Sequence, residues 1–198
     1  CVALLGPNGS GKTTLLKLFN GLLPESGRPC ACGGTLLFRG ESLVSGGERF
    51  LPRSLRRDTI YMHQQPCVLS GGVARNMAFA CGARGLSGRA ASETAREALR
   101  LVGLEDLAGR RRRGLSGGEA QRLALARVIA SGAGILLLDE PTAGVDAASR
   151  DRIAETLSML AGKGVTILFS THEPEILGGV AGRIISFERG AIVGDVGR

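Results

Sequence analysis

The 198-residue sequence predicts one α/β domain built on a mainly parallel sheet. Three observations carry that prediction. Apolar runs of strand length alternate along the chain with segments of helical period. The first such run turns straight into a glycine-rich loop that leads into a helix. The run Ile135–Leu138 is apolar without alternation, as a strand covered on both faces must be, and it ends in two acids.

The elements follow in order. Val2–Leu5 reads as a strand, and Thr13–Phe19 as a helix that stops at Gly21. Thr35–Phe38 and Thr59–Met62 are short strands. Ser87–Val102 places Ala91, Ala95, Ala98, Leu99 and Val102 on one helical face, with Gly103 suited to its C-terminal cap. Gln121–Ala130 is a helix and Ile135–Leu138 a strand. Asp146 is placed to cap a helix whose apolar face is Ile153, Leu157 and Leu160. Val165–Phe169 and Arg183–Phe187 are strands, and Glu188-Arg189-Gly190 turns the chain back into Ala191–Val193 as a hairpin. The stretches 27–47 and about 70–114 read as insertions on this core. Neither repeats nor low-complexity tracts occur.

Composition excludes several classes. With 43% apolar and 22% charged residues the chain can bury one core, and no apolar run approaches the roughly 20 residues that span a bilayer. No secretory signal is present, so the expected compartment is the cytosol. The chain begins at Cys1 already in a strand, which reads as a fragment whose natural start lies upstream. Cys1, Cys30, Cys32, Cys67 and Cys81 lack paired CxxC spacing; Cys30-Ala31-Cys32 reads as reduced loop thiols rather than a metal or redox pair. The net charge of +7 is carried mostly by arginine. Its one dense run, Arg110–Arg113, has no aromatic interleaving for base stacking, so it reads as a solvated or partner-facing patch and no nucleic acid is expected.

Gly6-Pro7-Asn8-Gly9-Ser10-Gly11-Lys12-Thr13 fits GxxxxGK[ST] in full, after a strand and before a helix. Glycines let successive N–H groups wrap around phosphate oxygens, and the helix start adds roughly half a positive charge. Lys12 then supplies a full charge at the β- and γ-phosphates and Thr13 a hydroxyl for Mg²⁺. Alone, this motif says only that a nucleotide binds. Asp139 and Glu140 end the buried strand at the ligand side of a parallel sheet. Consecutive residues point in different directions, so Asp139 can hold Mg²⁺ while Glu140 polarises the attacking water as a general base.

Ser-Gly-Gly occurs three times. The copies at 45–47 and 70–72 read as loops. The third, Leu115-Ser116-Gly117-Gly118-Glu119-Ala120-Gln121, opens a strong helix and presents bare amides and a hydroxyl as a second phosphate-seeking surface.

Leu115–Gln121 resembles the signature of the ATP-binding cassette (ABC) family, with Glu119 where Gln is commonest. Gly6–Thr13 then resembles its Walker A loop and Ile135–Glu140 its Walker B strand. Gln64 resembles the Q-loop, Ala143-Gly144-Val145-Asp146 the D-loop, and His172 in Ser170-Thr171-His172-Glu173-Pro174-Glu175 the H-loop. The set appears in family order over nearly the whole chain. The resemblance implies a P-loop NTPase with a mainly parallel sheet, a small antiparallel β subdomain and a helical signature subdomain at about 70–118, all in one domain of residues 1–198. It implies ATP and Mg²⁺ as cofactors. Gly6 to Thr14 would hold the nucleotide, Thr13, Gln64 and Asp139 the metal, and Glu140, His172 and Gln64 the chemistry. Ser116, Gly117 and Gly118 would close over the nucleotide of a second copy in a head-to-tail dimer, and Asp146 of the D-loop would join the nucleotide-binding set.

The family also carries, about two dozen residues before Walker A, an aromatic that stacks on adenine. No such segment is present, and Tyr61, the single tyrosine, lies beside the Q-loop. The short segment between Gln64 and Leu115 fits an importer-type cassette. That implies transmembrane permease subunits, an extracytoplasmic substrate-binding protein and a place on the cytoplasmic face of the membrane. Gln64-Gln65-Pro66 with Asn76, and Gly179–Arg183, resemble cassettes of oxyanion importers such as those for tungstate or molybdate. The alternative is a soluble ABC ATPase acting on DNA or ribosomes. Lys12 and Ser116 lie only 104 positions apart without sustained heptads, which argues against the chromosome type. A small-molecule P-loop kinase would leave Leu115–Gln121 and His172 unexplained.

Overall fold

The computed structural model describes residues 1–22, 35–45, 48–49, 53–173 and 177–197. Cys30, Cys32, Gly46, Gly47, Pro174 and Glu175, which figured in the sequence reading, lie outside them. The elements run β1 (Val2–Leu5), α1 (Lys12–Asn20), β2 (Leu37–Phe38), β3 (Glu41–Ser42), β4 (Val44–Ser45), β5 (Glu48–Arg49), α2 (Arg53–Asp58) and β6 (Thr59–Met62). They continue through α3 (Val73–Ala83), α4 (Gly88–Leu101), α5 (Gly117–Ala130), β7 (Ile135–Leu138), α6 (Ala147–Gly162), β8 (Thr166–Thr171), α7 (Leu177–Val180), β9 (Arg183–Glu188) and β10 (Ala191–Gly197). Among the described residues, no helix is long and apolar enough to cross a membrane.

Among the described residues the main sheet has six strands, in the order β10-β9-β1-β8-β7-β6. All neighbours pair parallel except β10, which returns antiparallel to β9. The predicted hairpin forms because Arg189 and Gly190 both take positive φ, at 48° and 84°, which matches the twist of the flanking strands. β2–β3 and β4–β5 are two small antiparallel pairs.

Strand alternation sorts the core into two layers. Ala3, Met62, Leu136, Leu138, Ile167 and Phe169 join the larger cluster with α3 to α6; Leu4, Leu137 and Phe187 join Leu16 of α1 on the other face. Both faces of the central strands are thus covered, which is why Ile135–Leu138 shows no polar alternation. Phe169 is fully buried; its truncation to Ala is expected to cost about 3–5 kcal/mol, read as a lowered urea midpoint at unchanged slope.

The Ser70-Gly71-Gly72 copy is more than a loop. Gly72 caps the N-terminus of α3, at φ 93° and ψ −171°. That start is closed, because Val73 N–H donates to the Arg110 carbonyl at 3.0 Å. A Cβ on Gly72 would sit 2.4 Å from the same carbonyl. Gly72→Ala is therefore expected to destabilise by about 2–4 kcal/mol, from strain and overlap together; chemical denaturation measures it. Helices α3 and α4 pack on each other and on α5, and α5 begins at Gly117, four residues before the segment read as helical.

Candidate functional site

Four neighbouring parallel strands deliver the site. Their order is β1-β8-β7-β6, and their C-terminal ends lead into Gly6, His172, Asp139–Glu140 and Gln64 respectively. A parallel sheet gathers its strand ends on one edge, so residues up to 166 positions apart (6 against 172) converge there.

The glycine-rich loop is held from both sides. Gly6 N–H donates to Thr171 O at 3.4 Å, and Gly190 N–H of the β9–β10 turn donates to Ser10 O at 3.0 Å. A Cβ on Gly6 would lie 2.3 Å from Phe187 O, so only glycine lets β9 pass this close. Gly9 and Gly11 take φ 80° and 102°, the left-handed region that turns N–H groups inward. Pro7, Asn8, Gly9, Thr13 and Thr14 are exposed, while Ser10 and Lys12 are buried. Lys12 Nζ donates to the Gly6 and Pro7 carbonyls at 2.7 and 2.9 Å, spanning the loop. Helix α1 begins after Gly11 without a side-chain cap and without an acid in its first turn, so its dipole favours a bound anion.

Asp139 and Glu140 take different partners, as their adjacency predicted. Asp139 accepts from Thr13 Oγ1 at 2.8 and 3.0 Å, from Tyr61 Oη at 2.9 Å and from Ser170 Oγ at 2.6 Å. Glu140 accepts from Gln64 Nε2 at 2.9 Å, and His172 Nδ1 lies 3.3 Å from the same Oε2. Among the described residues no hydrogen bond reaches Glu140 Oε1. The two acids diverge because Glu140 has φ 44°. That conformation costs about 1–3 kcal/mol for a non-glycine residue and persists only where its surroundings enforce it. Both acids are buried. Tyr61 and Ser170 are the site residues that sequence reasoning missed. The available signals were an aromatic hydroxyl and a serine near the ends of their strands, a few residues before Gln64 and His172 respectively. Burial, followed by the neighbouring Asp139 carboxylate, pushes the Tyr61 hydroxyl well above its usual range, so it stays a proton donor.

The donor set fits a magnesium ion. A carboxylate offers about four lone-pair directions; Tyr61, Ser170 and the single Thr13 proton take three of them. Mg²⁺ needs only one or two protein oxygens beside phosphate and water, so its fit does not require the cluster of three acids, histidines or cysteines that is missing among the described residues.

A second cluster joins the other predicted residues. Ser116 Oγ accepts from Glu119 N–H at 3.2 Å while Glu119 Oε2 accepts from Ser116 N–H at 2.7 Å, a reciprocal capping box. This corrects the expectation of bare amides throughout: the Ser116 groups are engaged, and those of Gly117 and Gly118 start the helix. The Ser116 backbone N–H chiefly holds the Glu119 carboxyl below its ordinary range. Asp146 caps α6 through Ser149 N–H at 2.8 Å, and Ser149 Oγ in turn accepts from Arg122 at 2.5 Å. A Cβ on Gly118 would lie 2.5 Å from Ser149 Oγ and 2.9 Å from Asp146 Oδ2. The starts of α5 and α6 therefore abut. Among the described residues no hydrogen bond or ion pair joins Ser116, Gly117, Gly118 or Asp146 to the phosphate loop of the same chain.

The Ser149 N–H, the largest influence, also depresses the Asp146 carboxyl. A depressed carboxyl stabilises above its unfolded value and loses that contribution as pH falls through the folded one. Acid should thus weaken the caps of α5 and α6 as pH falls below the ordinary carboxylate range, read as an acid-dependent loss of stability to urea that is smaller in Asp146→Asn and in Glu119→Gln than in the parent.

Residues 1–143 match the family profile described as ABC transporter. The chain belongs to the ABC transporter family. It is 34% identical over 194 residues to an energy-coupling factor transporter ATP-binding protein, EcfA, of Methanoculleus marisnigri, covering 98% of this chain and 67% of that protein. It is also 34% identical over 195 residues to a cobalt import ATP-binding protein, CbiO, of Rhodobacter capsulatus, with 98% and 67% covered. Among solved structures, CbiO1 of Clostridium perfringens, part of the ABC transporter complex CbiONQ, superposes with a TM-score of 0.82 at 28% identity, covering 99% of this chain and 76% of that one. The ATP-binding cassette MJ0796, a dimer in a post-hydrolysis state bound to ADP and phosphate, gives 0.81 at 25% identity, with 99% and 84% covered. This ABC cassette is an ATP-binding, ATP-hydrolysing component of a transporter with the expected P-loop fold. None of these relatives is named for an oxyanion, so the tungstate or molybdate expectation gains no support.

Proposed function

We propose that this chain is the ATPase subunit of a membrane importer of the kind that its cobalt and energy-coupling-factor relatives serve, acting as one half of a head-to-tail ATPase pair. The observation that carries the reading is the convergence at the sheet edge: Thr13 bonded to Asp139 at 2.8 Å, and Glu140 flanked by Gln64 and His172.

In this reading Gly6 to Thr14 wrap the phosphates, with Lys12 moving its charge from loop carbonyls to phosphate oxygens. Thr13, Asp139 and Gln64 hold Mg²⁺, which when bound neutralises charge on the β- and γ-phosphates. Glu140 takes a proton from the attacking water through Oε1, while Gln64 and His172 fix the carboxylate through Oε2. Ser116, Gly117, Gly118 and Asp146 serve the nucleotide of the second copy. Their isolation from the phosphate loop of their own chain supports that trans role, as does the dimeric state of MJ0796.

The subunit sits peripherally on the cytoplasmic face of the membrane, against permease subunits. A cleft of about 300 Å³ runs from Tyr61, His63 and Cys67 beside Gln64 to Phe79 and Arg127 on the helices. Phe79 is 58% exposed there, an apolar surface suited to a permease element. The extracytoplasmic substrate-binding protein came from the importer-type resemblance, and none of the relatives described above is named for one.

Co-expression of the full-length protein with permease subunits tests this. The ATPase is expected to pellet with membranes only when the permease is present, and Phe79→Asp to release it without changing ATP affinity. Retention independent of the permease, or hydrolysis stimulated by nucleic acid with no membrane partner, would favour the soluble class instead.

A further inference from the structure

We propose that Ser170 is a positioning residue of the hydrolytic site, aiming Asp139 and Glu140 together through one hydroxyl. The inference rests on the roles given above to those two acids.

Ser170 lies on β8 between β1 and β7, fully buried and next to the equally buried Phe169. A hydroxyl at such a place is costly unless both its donor and acceptor functions are used. Both are. Ser170 Oγ donates to Asp139 Oδ1 at 2.6 Å and accepts from Glu140 N–H at 2.9 Å. The first bond fixes the side chain of one acid; the second fixes the backbone of the next.

The second bond matters because Glu140 leaves the strand with φ 44°. That turn carries its carboxylate away from Asp139 and toward Gln64 and His172. Ser170 anchors the amide at the start of the turn, and Ala143 N–H, donating to Glu140 O at 3.0 Å, anchors its exit. The first bond works with Tyr61, which holds the opposite oxygen of Asp139 at 2.9 Å. Two fixed donors on opposite oxygens set the carboxylate plane. The Thr13 proton, within 2.8 and 3.0 Å of both oxygens, is the mobile member. None of the bonds that shape the phosphate loop involves Ser170.

Removing the hydroxyl should therefore leave ATP binding to the loop intact and degrade both acids. The test is Ser170→Ala in the full-length protein, nearly isosteric, with Glu140→Gln measured in parallel. The kcat of Ser170→Ala is expected to fall about 10- to 100-fold with KM changed less than about threefold. Affinity for a fluorescent ATP analogue should be unchanged in EDTA, and the gain in affinity on adding Mg²⁺ should shrink. Ser170→Cys, with similar volume and a weaker donor, should fall between parent and Ala. A kcat for Ser170→Ala within about twofold of parent, a Cys variant no better than Ala, or equal losses of kcat and EDTA affinity would each overturn the proposal. Turnover retained in Glu140→Gln would instead remove the base assignment on which it rests.

Discussion

Glu140→Gln is expected to bind ATP as the parent does and to lose hydrolysis by at least about 10²–10⁴-fold, the range typical of a positioned general base. The substitution keeps the size of the side chain, and its amide can still accept from Gln64 and His172 through oxygen. The turn at φ 44° and the Ser170 bond to the backbone N–H are unaffected. What disappears is the charge that withdraws a proton from water. Because binding persists while product formation stops, the variant should accumulate as an ATP-bound dimer, visible as a shift in size-exclusion chromatography that ADP does not produce. Near-parental turnover would refute the assignment of Glu140.

Ser116→Arg is expected to abolish turnover while leaving nucleotide binding by the isolated subunit nearly intact. Ser116 is exposed at the start of α5, and its side-chain hydrogen bond stays within the capping box. Losing the cap costs about 1 kcal/mol, or a few degrees in unfolding midpoint for a chain of this size. An arginine there would instead obstruct the surface that closes over the second copy's phosphates. Complementation makes the test decisive. Mixed with a Lys12→Ala variant, Ser116→Arg should recover turnover, because a head-to-tail heterodimer contains one intact composite site. Equal mixing should restore about a quarter of parental activity, since half the dimers are mixed and each has one of two sites. No recovery, or equal loss of binding and turnover in Ser116→Arg alone, would argue for a site within one chain.

Much of the site was legible because its chemistry is local in sequence. Gly6–Thr13 must be contiguous to wrap phosphate, and Asp139–Glu140 must follow a buried strand, so each motif names its own surroundings. The strands 2–5, 59–62 and 135–138 were placed at their observed bounds because apolar runs bounded by turns leave little choice of register. Helix α3 was missed: Val73–Ala83 mixes Arg75, Asn76 and Cys81 with alanines, and its start depends on the distant Arg110 carbonyl. Tyr61 and Ser170 were missed for a related reason. Each is an ordinary strand residue until the sheet order sets it against Asp139.

The sequence by itself determined the nucleotide loop, the acid pair, the signature and a mainly parallel α/β frame. Tertiary structure decided how the parts divide. It put the ends of β1, β8, β7 and β6 on one edge, and so assembled phosphate loop, acids, Gln64 and His172 into one site. It set Ser116–Gly118 against Asp146 and Ser149, in a cluster of its own. It also decided which helix starts are open. Gly11 leads into an uncapped helix, Gly72 is plugged by Arg110, and Ser116 is engaged by Glu119. The physical reason is that a motif fixes backbone conformation over a few residues. Whether an amide is free to meet a phosphate depends on what the rest of the chain packs against it.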